Sequence, residues 1–223
     1  MEISEINNQL KKFISENREQ LFQNKIKERT DYITVVLEDL YQKHNSSAVL
    51  RSCDCFGIQN VHIIENKNSF QTSREVDMGS SKWLTINRHN SHEDNTTNTI
   101  TKLKKQGYRI IATTPHSKDI TLEDFDISKG KTALLFGTEL TGLSEKAMNL
   151  ADEFLKIPMY GFTESFNISV SAAIILHFLS LKLRTSNINW KLNNIRKQEV
   201  LFEWYNSSIK DSSKIIEKIL LNF

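Results

Sequence analysis

Three short stretches gather the residue types from which a polar site is built. They are His44, Asn45 and Arg51 in HNSSAVLRSCDCFG, Gly137, Thr138 and Glu139 in FGTELTGLS, and Ser165, Phe166 and Asn167 in IPMYGFTESFNISVS. A permanently charged guanidinium, an imidazole, a carboxylate, two carboxamides and two hydroxyls supply donors, acceptors and both signs of charge. Each stretch lies at a loop-to-helix boundary beside an apolar run, so a packed scaffold would hold its polar groups in place. Glycine usage points to the same places. The chain has seven Gly and two Pro, yet Gly137, Gly142, Gly161 and Pro158 fall close together. Either the backbone there takes unusual dihedrals and approaches a ligand, or the glycines simply make tight turns. No G-x-G-x-x-G turn, Walker loop, H-E-x-x-H or G-x-S-x-G elbow occurs. A nucleotide-like ligand would therefore need some other backbone device.

The elements that must position these residues follow from hydrophobic periodicity. Residues 1–28 read as an amphipathic helix. Strands are expected at 32–39, 61–65, 83–86 (WLTI), 108–113, 132–136 and 154–158. Between them, Asn45 is expected to cap a helix that stops at Gly57, and 93–106 reads as a helix ending at Gly107. Ser144 is expected to cap a short helix to Ala151, and a long apolar helix begins at Asn167. Two further helices are expected around 195–206 and 211–221. Strands alternating with helices imply a parallel sheet with helices on both faces, and ligands in such sheets sit at the carboxyl ends of strands. The three polar stretches follow the strands at 32–39, 132–136 and 154–158.

Composition is that of a globular protein, 39% hydrophobic and 25% charged, with no low-complexity tract, repeat or membrane-length apolar run. With no signal-peptide core at the N-terminus, a cytoplasmic protein without membrane association is expected. Cys53 and Cys55 are too close on one helix to bridge each other, and no His or Cys spacing supports a metal; both read as buried thiols. The net charge is only +2. It is unevenly spread: Lys102, Lys104, Lys105, Arg109 and Lys118 occur without an acid, and Lys182, Arg184, Lys191, Arg196 and Lys197 face Glu199 alone. These runs are either solvated helix faces or a phosphate-tracking surface.

The three stretches resemble, in order and spacing, the motifs of the TrmH family of SPOUT-class RNA 2′-O-methyltransferases. Asn45 and Arg51 match the first motif, and Gly137, Glu139 and Gly142 match the G-x-E-x-x-G of the second. Ile157-Pro158-Met159 through Ser165-Phe166-Asn167-Ile168-Ser169-Val170 match the third. GSSKW at 79–83 matches a stretch between the first two. The resemblance covers roughly residues 30–185. It implies an α/β fold whose parallel sheet ends in a C-terminal deep trefoil knot, flanked by N- and C-terminal helices. It also implies S-adenosylmethionine as cofactor and a homodimer with the site near the subunit interface. The domains expected are a helical extension over 1–30, the SPOUT methyltransferase domain over 31–185 and a second helical extension over 186–223.

Carried over residue by residue, the resemblance gives Thr113, Gly137, Ile157, Met159 and Phe166 as cofactor-binding, with Phe166 standing where Leu is usual. It gives Arg51, Asn45, Glu139, Ser165 and Asn167 as catalytic. A guanidinium stays protonated, so Arg51 is read as stabilising a developing alkoxide or as clamping a neighbouring phosphate that helps take the proton. Asn45 either caps its helix or also orients Arg51, and Glu139 pairs with a base or holds its own loop. His44 and His116 are read as polar surface residues. With one short segment before the first strand and helices after the last motif, the chain is most like the tRNA guanosine-18 type. Methylation of ribosomal RNA and a non-catalytic knotted RNA-binding protein are the alternatives.

Overall fold

The structure, a computed structural model, describes residues 2–115 and 120–221; His116 and Lys118 lie outside the described residues. In chain order the elements are α1 (Ile3–Leu10), α2 (Glu16–Lys25), β1 (Ile33–Glu38), α3 (Lys43–Cys55), β2 (Asn60–Ile64) and α4 (Arg74–Asp77). There follow β3 (Thr85–His89), α5 (Asn95–Lys105), β4 (Arg109–Thr113), β5 (Ile120–Thr121), β6 (Thr132–Phe136), α6 (Glu145–Leu150) and β7 (Glu153–Lys156). The last three are α7 (Ile168–Arg184), α8 (Asn194–Ser208) and α9 (Ser212–Leu221). They form two compact units, residues 31–190 and residues 1–30 with 191–223.

In the first unit seven parallel strands run in the order β3-β2-β1-β6-β4-β7-β5. The central strands ITVVLE and TALLF are buried along their whole length, as strands covered on both faces require. Their side chains alternate between two cores. Val35, Leu37, Leu134 and Phe136 join Val49 and Leu50 of α3 and Leu176 and Leu179 of α7. Val36, Ala133 and Leu135 join Ile100 and Leu103 of α5 and Ala147 of α6 on the other face. Each such buried Val, Leu, Ile or Phe side chain contributes roughly 1.5–3 kcal/mol. The register pairs Leu37 with Phe136, so the carboxyl ends of β1 and β6 finish side by side.

Helix boundaries follow their caps. The side chains of Ser15, Asp94, Ser144 and Asn167 each accept a first-turn backbone N–H, and Gly57 and Gly107 stop α3 and α5 in the left-handed region. Three expectations are corrected. The N-terminal segment is two helices, because Ser15 caps a new one after the 3-10 turn at Lys11–Phe13. The strand expected at WLTI lies later, at Thr85–His89, since Ser80–Trp83 forms a 3-10 turn after the left-handed Gly79. Of the two cysteines only Cys53 is buried; two residues apart on a helix, they point to different faces.

In the second unit, Phe22 of α2 packs against the rings of Trp204 and Tyr205 of α8, at 5.4 and 5.7 Å between centroids. The Arg29 guanidinium covers Trp204. Tyr205 donates its hydroxyl to Glu19 at 2.6 Å, and burial together with that carboxylate pushes the phenol pKa up. Asn7 donates to the backbone and side-chain oxygens of Gln198 at 2.8 and 2.9 Å. Among the described residues no helix is long and apolar enough to cross a membrane.

Much of the basic character is used internally. Lys104 pairs with Asp152 and Arg109 with Glu153. Lys182 donates to the Phe125 carbonyl at 2.6 Å, Arg184 covers Trp190, and Arg196 pairs with Glu199.

Candidate active site

The loops that leave β1, β6 and β7 meet at one edge of the sheet, and their polar residues bond directly to one another. Asn45 donates from Nδ2 to Glu139 Oε1 at 3.0 Å, and Asn167 donates to Asn45 Oδ1 at 3.1 Å. Asn167 also donates to Glu139 Oε1 in a short hydrogen bond, and Asn45 to Gln42 Oε1 in another. One residue from each of the three sequence stretches is thereby joined across 122 positions of chain. The Asn167 side chain has a second duty: its Oδ1 accepts from the Ser169 backbone at 2.8 Å as the cap of α7. Helix start and site geometry are fixed by the same group.

Asn45 does not cap α3. The cap position is Gln42, without a side-chain cap bond, and Asn45 sits one turn into the helix. Its carboxamide is therefore available to reach Glu139 and Asn167. No sequence signal separates a cap from a first-turn residue here, because helix ends are set by hydrogen bonds that spacing does not show.

The second stretch forms a compact hairpin. Thr138 and Gly142 exchange backbone hydrogen bonds at 3.0 Å each, and the hydroxyls of Thr138 and Thr141 lie 2.7 Å apart. A Cβ at Gly137 would collide with the backbone of Gly142 and Leu143, and Gly142 itself has a φ of +68°. Both glycines of G-x-E-x-x-G are thus required by the turn: one by close approach, the other by a left-handed backbone.

Beside this hairpin lies a cavity of about 370 Å³, within the roughly 300–1,000 Å³ of small-molecule sites. Its apolar side is formed by Phe136, Leu155, Ile157, Ile168 and Ile175, and its polar rim by the Thr113–Thr114 and Gly137–Gly142 segments with Glu164 and Ser165. All five expected cofactor residues, Thr113, Gly137, Ile157, Met159 and Phe166, are in its wall. Among the expected catalytic residues, Glu139 and Ser165 line it, and Asn45 and Glu139 line a smaller adjoining cleft with Thr138 and Ile168.

Arg51 is different. It is exposed on α3 and is in the wall of neither cavity; six residues beyond Asn45, it lies about 9 Å farther along the helix and on another face. Exposed His44, on the first turn of the same helix, is in neither wall as well. Sequence reasoning overlooked Gln42, the Thr138–Thr141 hydroxyl pair, and Ser171 and Ile175 of α7. The last two show only as ordinary residues of an apolar helix.

Among the described residues no cluster of three His, Cys, Asp or Glu could hold a metal ion. The chemistry available is that of amides, a carboxylate, hydroxyls and backbone N–H groups around a half-apolar cavity. Such a place suits a small molecule with an apolar face and a polar edge.

Comparison with known proteins agrees with this geometry. Residues 32–177 match the model of the SpoU rRNA Methylase family. The tRNA (guanosine(18)-2′-O)-methyltransferase of Borreliella burgdorferi is 41% identical over 202 residues, covering 91% of this chain and 90% of its own. The crystal structure of the TrmH/SpoU tRNA modifying enzyme of A. aeolicus superposes with a TM-score of 0.77 at 27% identity, over 87% of this chain and 98% of the other. The SpoU methyltransferase AviRb of Streptomyces viridochromogenes, solved in complex with AdoMet, shares the fold at a TM-score of 0.57 and 21% identity, over 74% of this chain and 62% of that one. With the family match spanning the whole sheet and all three polar stretches, the chain belongs to the SpoU methylase family.

Proposed function

We propose that this protein transfers the methyl group of S-adenosylmethionine to the ribose 2′-hydroxyl of guanosine 18 in tRNA. The observation that carries the reading is the hydrogen-bonded junction of Asn45, Glu139 and Asn167 beside the cavity walled by the Gly137–Gly142 hairpin. The substrate is supported by the extent of similarity to the guanosine-18 enzyme of B. burgdorferi, and the cofactor by the family.

The cavity fits that cofactor. Ile157, Met159 and Phe166, the apolar wall residues that are not buried, would face an adenine ring, and the backbone of Gly137 and Thr138 would meet its polar edge. When bound, S-adenosylmethionine supplies a sulfonium methyl group open to displacement by oxygen. The protein's task is then to hold the 2′-oxygen in line and ease loss of its proton. Glu139, held by two carboxamides, fixes the floor of the approach, and Ser165 and Asn167 border it. Arg51 clamps the adjoining phosphate and stabilises the oxygen's developing charge. Because Arg51 lies outside this protomer's cavity wall, we place its action at the interface of a homodimer. A trefoil knot through the C-terminal part of the sheet unit belongs to the same reading; the strand order and the packing of α7 against α3 support it. So do a cytoplasmic location and helical extensions over 1–30 and 186–223 around a methyltransferase domain.

Incubation with radiolabelled S-adenosylmethionine and either bulk tRNA or ribosomal RNA tests the proposal. Label should enter tRNA; label in ribosomal RNA alone, or in neither, would reject it. Arg51→Lys should lose most activity while S-adenosylhomocysteine binds nearly as before. A fully active Lys variant would remove the bidentate clamp.

A further inference from the structure

The Gly137–Gly142 hairpin is tied at its start to β6, but its far end leaves the sheet and needs another anchor. Glu38, the last residue of β1, provides it. This glutamate is 3% exposed, and its carboxylate receives three hydrogen bonds. The Ser144 backbone N–H donates to Oε2 at 2.8 Å, and the Ser144 hydroxyl to Oε1 at 2.7 Å. The Thr96 hydroxyl donates to Oε1 at 2.6 Å. Ser144 follows Gly142 by two residues and caps α6, accepting from the Ala147 N–H at 3.1 Å. Thr96 in turn accepts from Asn66 Nδ2 at 2.8 Å, which ties the group to the loop after β2.

We propose that Glu38 is a positioning residue for the cofactor hairpin: it holds the C-terminal end of the Gly137–Gly142 segment at the height where its backbone meets the ligand. The inference rests on the proposed function for the identity of that ligand, not for the anchoring itself. Two features make a carboxylate the apt group. Ser144 presents two donors at once, and only a group with two acceptor oxygens takes both while also accepting from Thr96. The carboxylate itself is buried and needs these donors, and the two that come from Ser144 are the ones that fix the end of the hairpin segment. Glutamine offers a single acceptor oxygen. In one orientation its amide would face the Ser144 N–H, two donors together; turned over, it would reverse the bonds to two hydroxyls that already accept from Ala147 and Asn66.

Glu38→Gln is compared with Thr96→Val, which removes one bond to the same carboxylate but leaves both Ser144 bonds in place. Amide hydrogen exchange over 138–144 and titration with S-adenosylhomocysteine are the readouts. Expected for Glu38→Gln are faster exchange in that segment with β1 and β6 still protected, and a KM for S-adenosylmethionine about tenfold higher with kcat at saturation nearly unchanged. Thr96→Val should move neither. Ser144→Ala, which keeps the backbone N–H bond, should give a smaller rise in the same direction and serves if the glutamine variant does not fold. Unchanged exchange and affinity in Glu38→Gln, or equal changes in Thr96→Val, would overturn the inference. If the unaltered protein fails to bind S-adenosylhomocysteine, the proposed function falls, and hydrogen exchange alone still decides the anchoring.

Discussion

Two glutamates bracket the chemistry of one hairpin, and their surroundings are opposite. Glu139, inside the hairpin, is exposed and shared by two carboxamides from distant stretches. Glu38, at the root of the hairpin's far end, is buried and takes bonds from two hydroxyls and a backbone N–H. On the function and anchoring proposed above, the same side chain serves reactivity in one place and rigidity in the other. Exposure beside a cavity leaves a carboxylate able to meet a substrate, whereas burial with every donor directed inward makes it a fixed strut. The lesson is that a carboxylate's role follows from whether it faces a cavity or is closed in by the scaffold.

The largest expected effect tests the hairpin that separates the two. Gly137→Ala introduces a Cβ into the backbone of Gly142 and Leu143, and affinity for S-adenosylhomocysteine should fall about a hundredfold, the size of loss that a misplacement of about 1 Å can bring. Calorimetric titration reads this; near-normal binding would mean that the hairpin backbone does not set the cavity. Next is Glu139→Ala. Because the residue is exposed, kcat should fall tenfold to a hundredfold, on the order of the loss of a positioned polar group, while the thermal midpoint stays put. A large loss of stability instead would make Glu139 a strut like Glu38. Asn167→Ala spans both roles: losing the α7 cap should cost about 1 kcal/mol, a fall of roughly 2–4 °C in Tm, together with reduced activity.

The smallest effect on activity lies away from both glutamates and serves as their control. His62 of β2 stacks on His89 of β3, with ring nitrogens 3.0 Å apart. Burial first, then His89 and Lys102, push its pKa down to about 3. A histidine whose folded pKa lies below its unfolded value of about 6.5 stays neutral in the native state. Its contribution is therefore full above that value and lost as pH falls toward about 3. Thermal midpoints measured across that range should decline, and His62→Asn should flatten the decline; an equal slope in both proteins would locate the acid sensitivity elsewhere.

The scaffold was largely legible because its signals are local. ITVVLE and TALLF are strand-length apolar runs, and Ser144, Asn167, Gly57 and Gly107 mark helix ends by their own chemistry. The break at Ser15 was hidden because apolar residues continue at helical spacing across it. Ile120–Thr121 pairs with β7 over two residues, too short for any periodicity. At the site, Gly137, Glu139 and Asn167 were legible by resemblance, but their hydrogen-bonded junction was not, since it joins positions far apart in sequence. Glu38 was invisible for a similar reason. An acid ending a strand reads as solvent-facing until the helices that cover it are placed. The position of Arg51 relative to the cavity depends on helix phase, which an uncertain start to α3 left open.

The most direct measurement is the mapping of 2′-O-methyl groups on a tRNA transcript after incubation with the purified protein and S-adenosylmethionine. It is run beside a transcript carrying 2′-deoxyguanosine at position 18. One methyl group on the ribose of guanosine 18, and none on the deoxy transcript, is the predicted result. Methylation at another nucleotide, on a base, or equally on both transcripts would contradict the account.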